Sequence, residues 1–239
     1  MWPYAHSTTP LPLTTWGGFS GQRRLSDSSY IESIWEGQAH RDGIHLTAAD
    51  GTIDLSFRTR QGRTQLLLSG PTSKARPSDF KAGDKYLTIR LRAGVHLSFT
   101  ASNVMTDIDR FVPNAGKKSF WLHGSAINFP NFENTEAFIE RLSRAGLVER
   151  DIIVEDILDK KMARTSLRTV QRHFLASTGL TMQHVRQIKR AEQARSLLSS
   201  GHTLTRIAYE TGYSNPGHMT NSFKYFFGRT PKQLRALIG

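Results

Sequence analysis

The chain has 239 residues, enough for two modest domains that each bury a hydrophobic core. It contains no cysteine, which excludes disulfides and thiolate metal sites and is compatible with a reducing cytoplasm. No apolar run approaches the roughly 18 residues that span a bilayer, and the first residues lack the pattern of a secretory signal. We therefore expect a cytoplasmic protein without membrane contact.

The positive charge is concentrated at one end of the chain. Residues 160 to 239 hold 14 of the 32 Lys and Arg residues, and their only acidic residues are Glu192 and Glu210. Residues 1 to 159 hold 18 basic and 18 acidic residues, so the net charge of +12 arises from the C-terminal part. This distribution predicts a surface that binds a polyanion. A membrane-surface domain fits less well, because the basic helices are short and interrupted by turns.

The chain up to about residue 112 is predicted to form short strands after a loose start rich in Pro, Thr and Ser. Ile53, Leu55 and Phe57 alternate with polar residues, which is typical of a half-buried strand, and Asp50–Gly51 before them is a turn signal. Similar short runs, separated by turn residues, lie at 30–35, 66–68 and 88–92. Together they predict a small antiparallel β-barrel or sandwich over residues 1–112.

Residues 113–130 contain the segments PNAGKK and NFP and are predicted to be a linker. Asn134 is expected to cap a helix that runs to Ala145 and buries Phe138, Ile139 and Leu142. This helix would open a C-terminal, all-α domain over residues 131–239, which makes the whole chain an α+β protein of two domains.

Two helix pairs are predicted within the C-terminal part. The first, at about 151–179, has an apolar stripe at Ile153 and Ile157, a break near 163–165 and an N-cap at Ser166. The helix after Ser166 would bury Val170 and Phe174. Its opposite side carries three polar residues that suit base recognition, since Arg pairs with guanine and Gln with adenine: Arg168, Gln171 and Arg172.

The second helix pair, at about 203–229, has Gly212 in its turn, and Asn215 and Pro216 begin the following helix. That helix would bury Met219, Phe223, Phe226 and Phe227 and expose Gly217, His218, Asn221, Lys224 and Tyr225. The pattern is that of a helix-turn-helix unit, whose second helix enters a DNA major groove. An ordinary helical hairpin with a solvated face is the alternative, and the presence of two copies favours DNA binding.

A single helix over Thr181–Ser199, ended near Gly201, is predicted to connect the two units. Its length would be about 28 Å. A rod of that length could hold two recognition helices near the roughly 34 Å that separate successive major-groove segments on one face of DNA.

These stretches resemble the DNA-binding domain of AraC/XylS-type transcription regulators. The resemblance rests on SLRTVQRHFLASTGLT at 166–181, RQIKRAEQARSLL at 186–198, IAYETGYS at 207–214 and HMTNSFKYFFGRTPKQLR at 218–235. DGTIDLSF at 50–57, SGP at 69–71 and IRLRAG at 89–94 are similar to the cupin-like sensor domain of one branch of that family. The resemblance implies double-stranded DNA and RNA polymerase as partners, and an N-terminal half that binds a small-molecule effector, forms a homodimer, or both. An interior filled by its own side chains is the equally weighted alternative.

The resemblance also assigns roles to individual residues. The family's base-reading positions fall on Arg168, Gln171, Arg172, Pro216, Gly217, His218 and Asn221. The family usually has larger polar residues at 216 and 217 and arginine at 221, so the second unit is expected to dock mainly on phosphates. For each candidate phosphate contact, the alternative is an ordinary polar or charged residue on the surface that does not touch DNA. The candidates are Ser166, Thr169, Lys189, Arg190, Lys224 and Arg229.

The rival hypothesis is a metal-dependent, cupin-like enzyme with a helical accessory domain. Four histidines of the strand-rich half could in principle supply ligands: His40, His45, His96 and His123. Their spacing is not diagnostic, and the chain has no HExxH, phosphate-binding or nucleophile-elbow motif. We therefore expect no catalytic residue, metal or cofactor. Nucleic-acid binding by charge alone is a third hypothesis.

Overall fold

The computed structural model describes residues 11–16, 18–161 and 165–237. Its N-terminal elements, in chain order, are β1 (Leu11–Trp16), β2 (Phe19–Leu25), β3 (Ile31–Ala39), β4 (Gly43–Thr47), β5 (Asp54–Arg60), β6 (Arg63–Ser69), β7 (Arg76–Phe80), β8 (Lys85–Leu91), β9 (Val95–Leu97), α1 (Ser102–Met105), β10 (Asp109–Val112), β11 (Asn114–Gly116), β12 (Ser119–Leu122) and β13 (Ser125–Asn128). A 3-10 helix (Phe132–Asn134), α2 (Thr135–Arg144), β14 (Val148–Arg150), α3 (Ile152–Leu158), α4 (Leu167–Thr178), α5 (Met182–Ser196), α6 (Leu204–Glu210), α7 (Pro216–Phe227) and α8 (Pro231–Arg235) follow. The predicted loose start falls mainly on residues 1–10, which lie outside the described residues.

The N-terminal half is a sandwich-like assembly rather than a closed barrel. Its main layer is a seven-stranded sheet in the order β1-β2-β3-β8-β5-β6-β10, and β4 pairs with β7 in a separate two-stranded sheet. The strand pairs of the main sheet are antiparallel. The runs predicted as strands at 53–58, 66–68 and 88–92 lie within or across β5, β6 and β8, which confirms the antiparallel sandwich.

One face of this sheet forms the first hydrophobic core. Leu55 stands opposite Ile89 on one neighbouring strand and Leu68 on the other, and all three are buried. Phe57 projects from the same face and meets the ring of Phe138 of α2 at a centroid distance of 5.7 Å, nearly edge to face. The alternation read from the sequence thus places the apolar side of β5 under α2.

Residues 113–130 are not a linker, and this prediction is wrong. They contain β11, β12 and β13, which form a three-stranded antiparallel sheet. Phe120 and Leu122 of β12 are buried in the first core, whereas Trp121 between them is 48% exposed. This is the period-two alternation of a half-buried strand, and the Pro, Gly and Lys residues around it obscured the pattern.

Helix α2 also differs from its predicted place. Phe138, Ile139 and Leu142 are buried as expected, but they belong to the first core with the sheet, not to the C-terminal helices. Asn134 makes no side-chain cap of α2; Asn131 instead caps the preceding 3-10 helix, by accepting hydrogen bonds from the backbone N–H groups of Glu133 and Asn134. The two hydrophobic cores therefore divide after α2 and β14, beyond the boundary predicted at residue 131.

The second core is built by α3 to α8. Residues from every one of these helices meet in it, and the fully buried rings of Phe174 and Phe223 come from α4 and α7. Helix α5 has 15 residues and a length of about 22 Å, shorter than predicted. It ends early because the backbone N–H groups of Leu197 and Leu198 donate hydrogen bonds to the carbonyls three residues earlier, those of Ala194 and Arg195. Such bonds tighten the last turn into a 3-10 conformation.

Within the described ranges, no helix combines the length and the hydrophobicity required to cross a lipid bilayer.

Arg24 of β2 forms an ion pair with Glu136 of α2. This contact is expected to make the stability of the protein sensitive to acid. Burial raises the pKa of Glu136, but hydrogen bonds from Arg24, Ser26 and Thr135 outweigh it and lower that pKa from 4.5 to about 2. The unfolded chain therefore binds more protons between these values, so the free energy of unfolding decreases as the pH falls from about 4.5 towards 2. Urea denaturation across this range should show a shallower decrease for Glu136→Gln. Glu140→Gln, at a 52% exposed side chain of the same helix, should keep the original slope.

Candidate DNA-binding surface

The turn between α6 and α7 is fixed by a glycine and a buried tyrosine. Gly212 has a φ of +78°, a left-handed conformation that favours glycine. The backbone N–H of Tyr213 then donates to the carbonyl of Ala208 at 2.8 Å. The ring of Tyr213 is buried, and its hydroxyl lies 2.9 Å from the Ser222 hydroxyl on α7. The angle between the two helices is therefore set by a local contact.

Helix α7 begins as predicted. The Asn215 side chain accepts a hydrogen bond from the backbone N–H of His218 at 2.8 Å, and Pro216 occupies the first turn. The predicted apolar side is buried, and the opposite side is exposed, with Tyr225 at 49%. The exposed residues on that side are Gly217, His218, Asn221, Lys224 and Tyr225.

Two residues at the start of α7, Pro216 and His218, pack against or contact other parts of the protein. Pro216 is half-buried. The His218 Nδ1 lies 3.0 Å from the Ser214 hydroxyl, and its ring stands edge-on to Tyr213 with a centroid distance of 5.3 Å. These contacts orient the imidazole while its residue stays exposed.

The first unit shows the same division of faces. The Ser166 hydroxyl accepts a hydrogen bond from the backbone N–H of Thr169 at 3.2 Å, which confirms the predicted N-cap of α4. Val170 and Phe174 are buried, and Arg168, Gln171 and Arg172 are exposed together on the other side. The predicted break at 163–165 falls largely on residues 162–164, outside the described residues.

Asp151 joins the two helices of the first unit, a role that the sequence analysis did not recognise. One carboxylate oxygen caps α3 by accepting from the N–H groups of Ile153 and Val154. The other oxygen lies 2.8 Å from Nδ1 of His173 on α4. An Asp directly before an apolar run is the N-cap signal that could have identified it, although its second partner depends on the packing of the helices.

The six candidate phosphate contacts have different environments. Ser166 and Lys224 are exposed, and Thr169 is half-buried beside the Ser166 hydroxyl. Arg190 lies over the Tyr213 ring at 4.5 Å and donates to the Gly212 carbonyl at 3.3 Å, so its guanidinium stabilises the turn of the second unit.

Lys189 and Arg229 are half-buried. Lys189 forms an ion pair with Glu192 at 3.1 Å. Burial opposes a charge there, but Glu192 and Glu32 of the N-terminal half outweigh this effect and raise the pKa of Lys189. Arg229 follows Gly228, which lies so close to β4 that an added Cβ would be 3.0 Å from the Leu46 side chain. Burial, with smaller contributions from Arg90 and Arg229, lowers the pKa of His45 on that strand.

The four histidines proposed as metal ligands have separate surroundings. His40 lies 2.5 Å from the Ser20 hydroxyl, His96 is 3.8 Å from Glu149, and the His123 ring stacks on Phe99. In the part of the chain that the structure describes, no group of three or more His, Asp or Glu residues could hold a metal ion.

The chain is similar to several known proteins. The profile of a family described as "Helix-turn-helix domain" matches residues 161–236. The HTH-type transcriptional activator RhaS of Escherichia fergusonii is 37% identical over 96% of this chain and 80% of its own length. The HTH-type transcriptional regulator GlxA of Rhizobium meliloti is 33% identical over 40% of this chain and 31% of its own length. Among solved structures, an apo form of ToxT from Vibrio cholerae is similar, with 10% identity, a TM-score of 0.43 and coverage of 90% of this chain and all of that one.

The two helix pairs and their free polar faces define a helix-turn-helix, DNA-binding protein. The 37% identity to RhaS, over 96% of this chain and 80% of RhaS, shows the family to which the chain belongs. The chain belongs to the AraC/XylS-type family of transcription regulators.

The joint made by Asp151 can be tested by stability. Asp151→Ala removes the cap of α3 and leaves the His173 ring without its carboxylate, so we expect a loss of about 1–3 kcal/mol in the free energy of unfolding. Asp156→Ala on the same helix removes only a surface ion pair with Lys161 and should cost less than about 1 kcal/mol. Chemical denaturation measures both, and equal losses would contradict a special role for Asp151.

Proposed function

We propose that the protein regulates transcription by reading base edges through the exposed face of α4. The observation that carries this proposal is that Arg168, Gln171 and Arg172 are exposed together, whereas Phe174 on the opposite face is fully buried. A helix with this division can enter a major groove without losing its place in the core. Arg and Gln supply the paired donors and acceptors that distinguish guanine and adenine.

The second unit is proposed to contribute position more than sequence choice. Gly217 has no side chain, and Pro216 is half-buried and offers no hydrogen-bond donor. His218 and Asn221 remain as secondary base readers at the exposed N-terminal part of α7. Lys224, exposed further along the same helix, is the proposed phosphate contact, and such contacts hold the register of the protein on the duplex.

The remaining partners follow from the family and stay proposals for this chain. We propose that it contacts RNA polymerase, that it acts as a homodimer, and that its N-terminal sandwich responds to a small effector. The predicted cytoplasmic location stays a proposal as well.

Loss of a base-reading arginine should relax the choice of sequence. We expect Arg172→Ala to weaken binding to the preferred DNA by about 1–3 kcal/mol and to weaken binding to unrelated DNA much less. Selection of bound oligonucleotides from a random pool identifies the preferred site, and titration gives the affinities. Arg144→Ala, which removes the same charge at a 79% exposed side chain of α2, is the matched control and should leave both affinities unchanged. An equal loss of affinity for all DNA sequences would mean that Arg172 contacts the DNA backbone and not the bases.

Loss of a phosphate contact should instead change how strongly the DNA affinity depends on salt concentration. We expect Lys224→Ala to weaken binding to specific and unrelated DNA alike and to reduce the slope of log affinity against log salt concentration by about 1. Titrations at several salt concentrations measure this slope. A wild-type chain whose specific and unrelated affinities are equal at physiological salt would instead support binding by charge alone.

A further inference from the structure

Leu175 is an apolar side chain in the middle of the polar face of α4. It is 47% exposed, and Arg168, Gln171 and Arg172 on the same face are exposed as well. At about 100° per residue, Leu175 points within about 20° of Arg168 around the helix axis. On the same scale, Gln171 lies about 40° to one side of Leu175 and Arg172 about 60° to the other. The proposed base-reading face therefore consists of three polar residues and one leucine.

The packing of the C-terminal helices does not account for an apolar residue at this position. The buried side of α4 is formed by other residues, among them Val170 and Phe174. Within the described part of the chain, the partly buried side chains that pack against the second core do not include Leu175. Its backbone carbonyl accepts the hydrogen bond from the Gly179 N–H that ends the helix, which any residue type would do. The side chain is therefore available to a partner outside the chain.

The corresponding position of α7 carries a lysine. Both helices have 12 residues, each begins after a capping side chain, that of Ser166 or Asn215, and each ends at a glycine in the left-handed conformation. Leu175 and Lys224 are both the ninth residue of their helices. The unit proposed to dock on phosphates thus has a cation at this position, whereas the unit proposed to read bases has an apolar side chain.

The neighbours of Leu175 indicate what its partner is. An apolar protein surface placed on Leu175 would also cover Arg168 and Arg172, and it would have to remove water from two charged groups without offering them a partner. The DNA major groove offers acceptors to the arginines and an apolar group to the leucine, because each thymine presents its C5-methyl group there. That methyl is the apolar part of the major-groove pattern, so a leucine among arginines suits this surface.

We propose that Leu175 reads a thymine in the first half-site by packing against its C5-methyl group. This inference rests on the proposed function, because it requires α4 to lie in the major groove. Leu175 follows Arg172 by about 4.5 Å along the helix axis, little more than one base-pair step of about 3.4 Å. The thymine is therefore expected within about two base pairs of the position that Arg172 reads.

Removal of the methyl group from the DNA tests this contact directly. The preferred site is selected from random oligonucleotides, and the positions where Arg172→Ala relaxes the choice of base locate the reading face of α4. Each thymine near these positions, on either strand, is then replaced by deoxyuridine, which lacks the C5-methyl group but keeps every hydrogen-bonding group of thymine. We expect the wild-type chain to bind one of these duplexes about fourfold more weakly, because one buried methyl contact is lost.

Variants of the protein show whether Leu175 makes the contact. Leu175→Ala should bind the thymine and uracil duplexes equally well, because its side chain no longer reaches the methyl group. Leu175→Met keeps an apolar side chain of similar volume and should retain the preference for thymine. Ile152→Ala is the matched control, since it truncates a 51% exposed apolar side chain on α3 of the same unit. It should keep the wild-type preference.

The outcomes separate this inference from the proposed function. If the wild-type chain prefers no DNA sequence over others, the proposed function fails and the thymine contact fails with it. If binding is specific but no thymine near the Arg172 position responds to loss of its methyl group, the thymine contact alone is overturned. It is also overturned if Leu175→Ala keeps the full preference for thymine over uracil, which would assign the methyl effect to another residue or to the shape of the DNA.

Discussion

The structure depends on one constraint: each recognition helix must bury one face and leave the other free. Phe174 of α4 and Phe223 of α7 satisfy the first half of this constraint, since both rings are fully buried in one shared core. Because the two helices share this core, a change at one ring is felt by both units. The polar faces can then differ in residue type without loss of the fold. Arg168 and Gly217, for example, are both the second residue of a recognition helix.

The basic charge of the C-terminal part has more than one use. Arg172 and Lys224 are exposed and suit contact with a polyanion. Arg190 instead lies against the Tyr213 ring, and Lys189 pairs with Glu192. Charge count alone therefore overstates the DNA-binding surface, because part of the charge stabilises the turn of the second unit or forms an ion pair within α5.

The two halves of the chain are more closely joined than the idea of a sensor, a linker and a reader suggests. The predicted linker is a sheet that buries Phe120 in the first core, and α2 belongs to the sheet as well. Strand β9 pairs with β14, which leads directly into the N-cap of α3 at Asp151. The sandwich and the first helix-turn-helix unit are thus joined by this strand pair and by the chain that follows it.

The sequence by itself determined the local features: the β5 alternation at 53–58, the caps at Ser166 and Asn215, and the buried and exposed sides of α4 and α7. These follow from periodicity and from side chains that bond to neighbouring backbone groups. Only the tertiary structure decided that Asp151 meets His173, that α2 belongs to the first core, and that the backbone N–H groups of Ala49 and Ala75 donate to carbonyls at the end of α7. Such contacts join residues far apart in the chain, and a backbone N–H leaves no mark in the sequence, since nearly every residue has one.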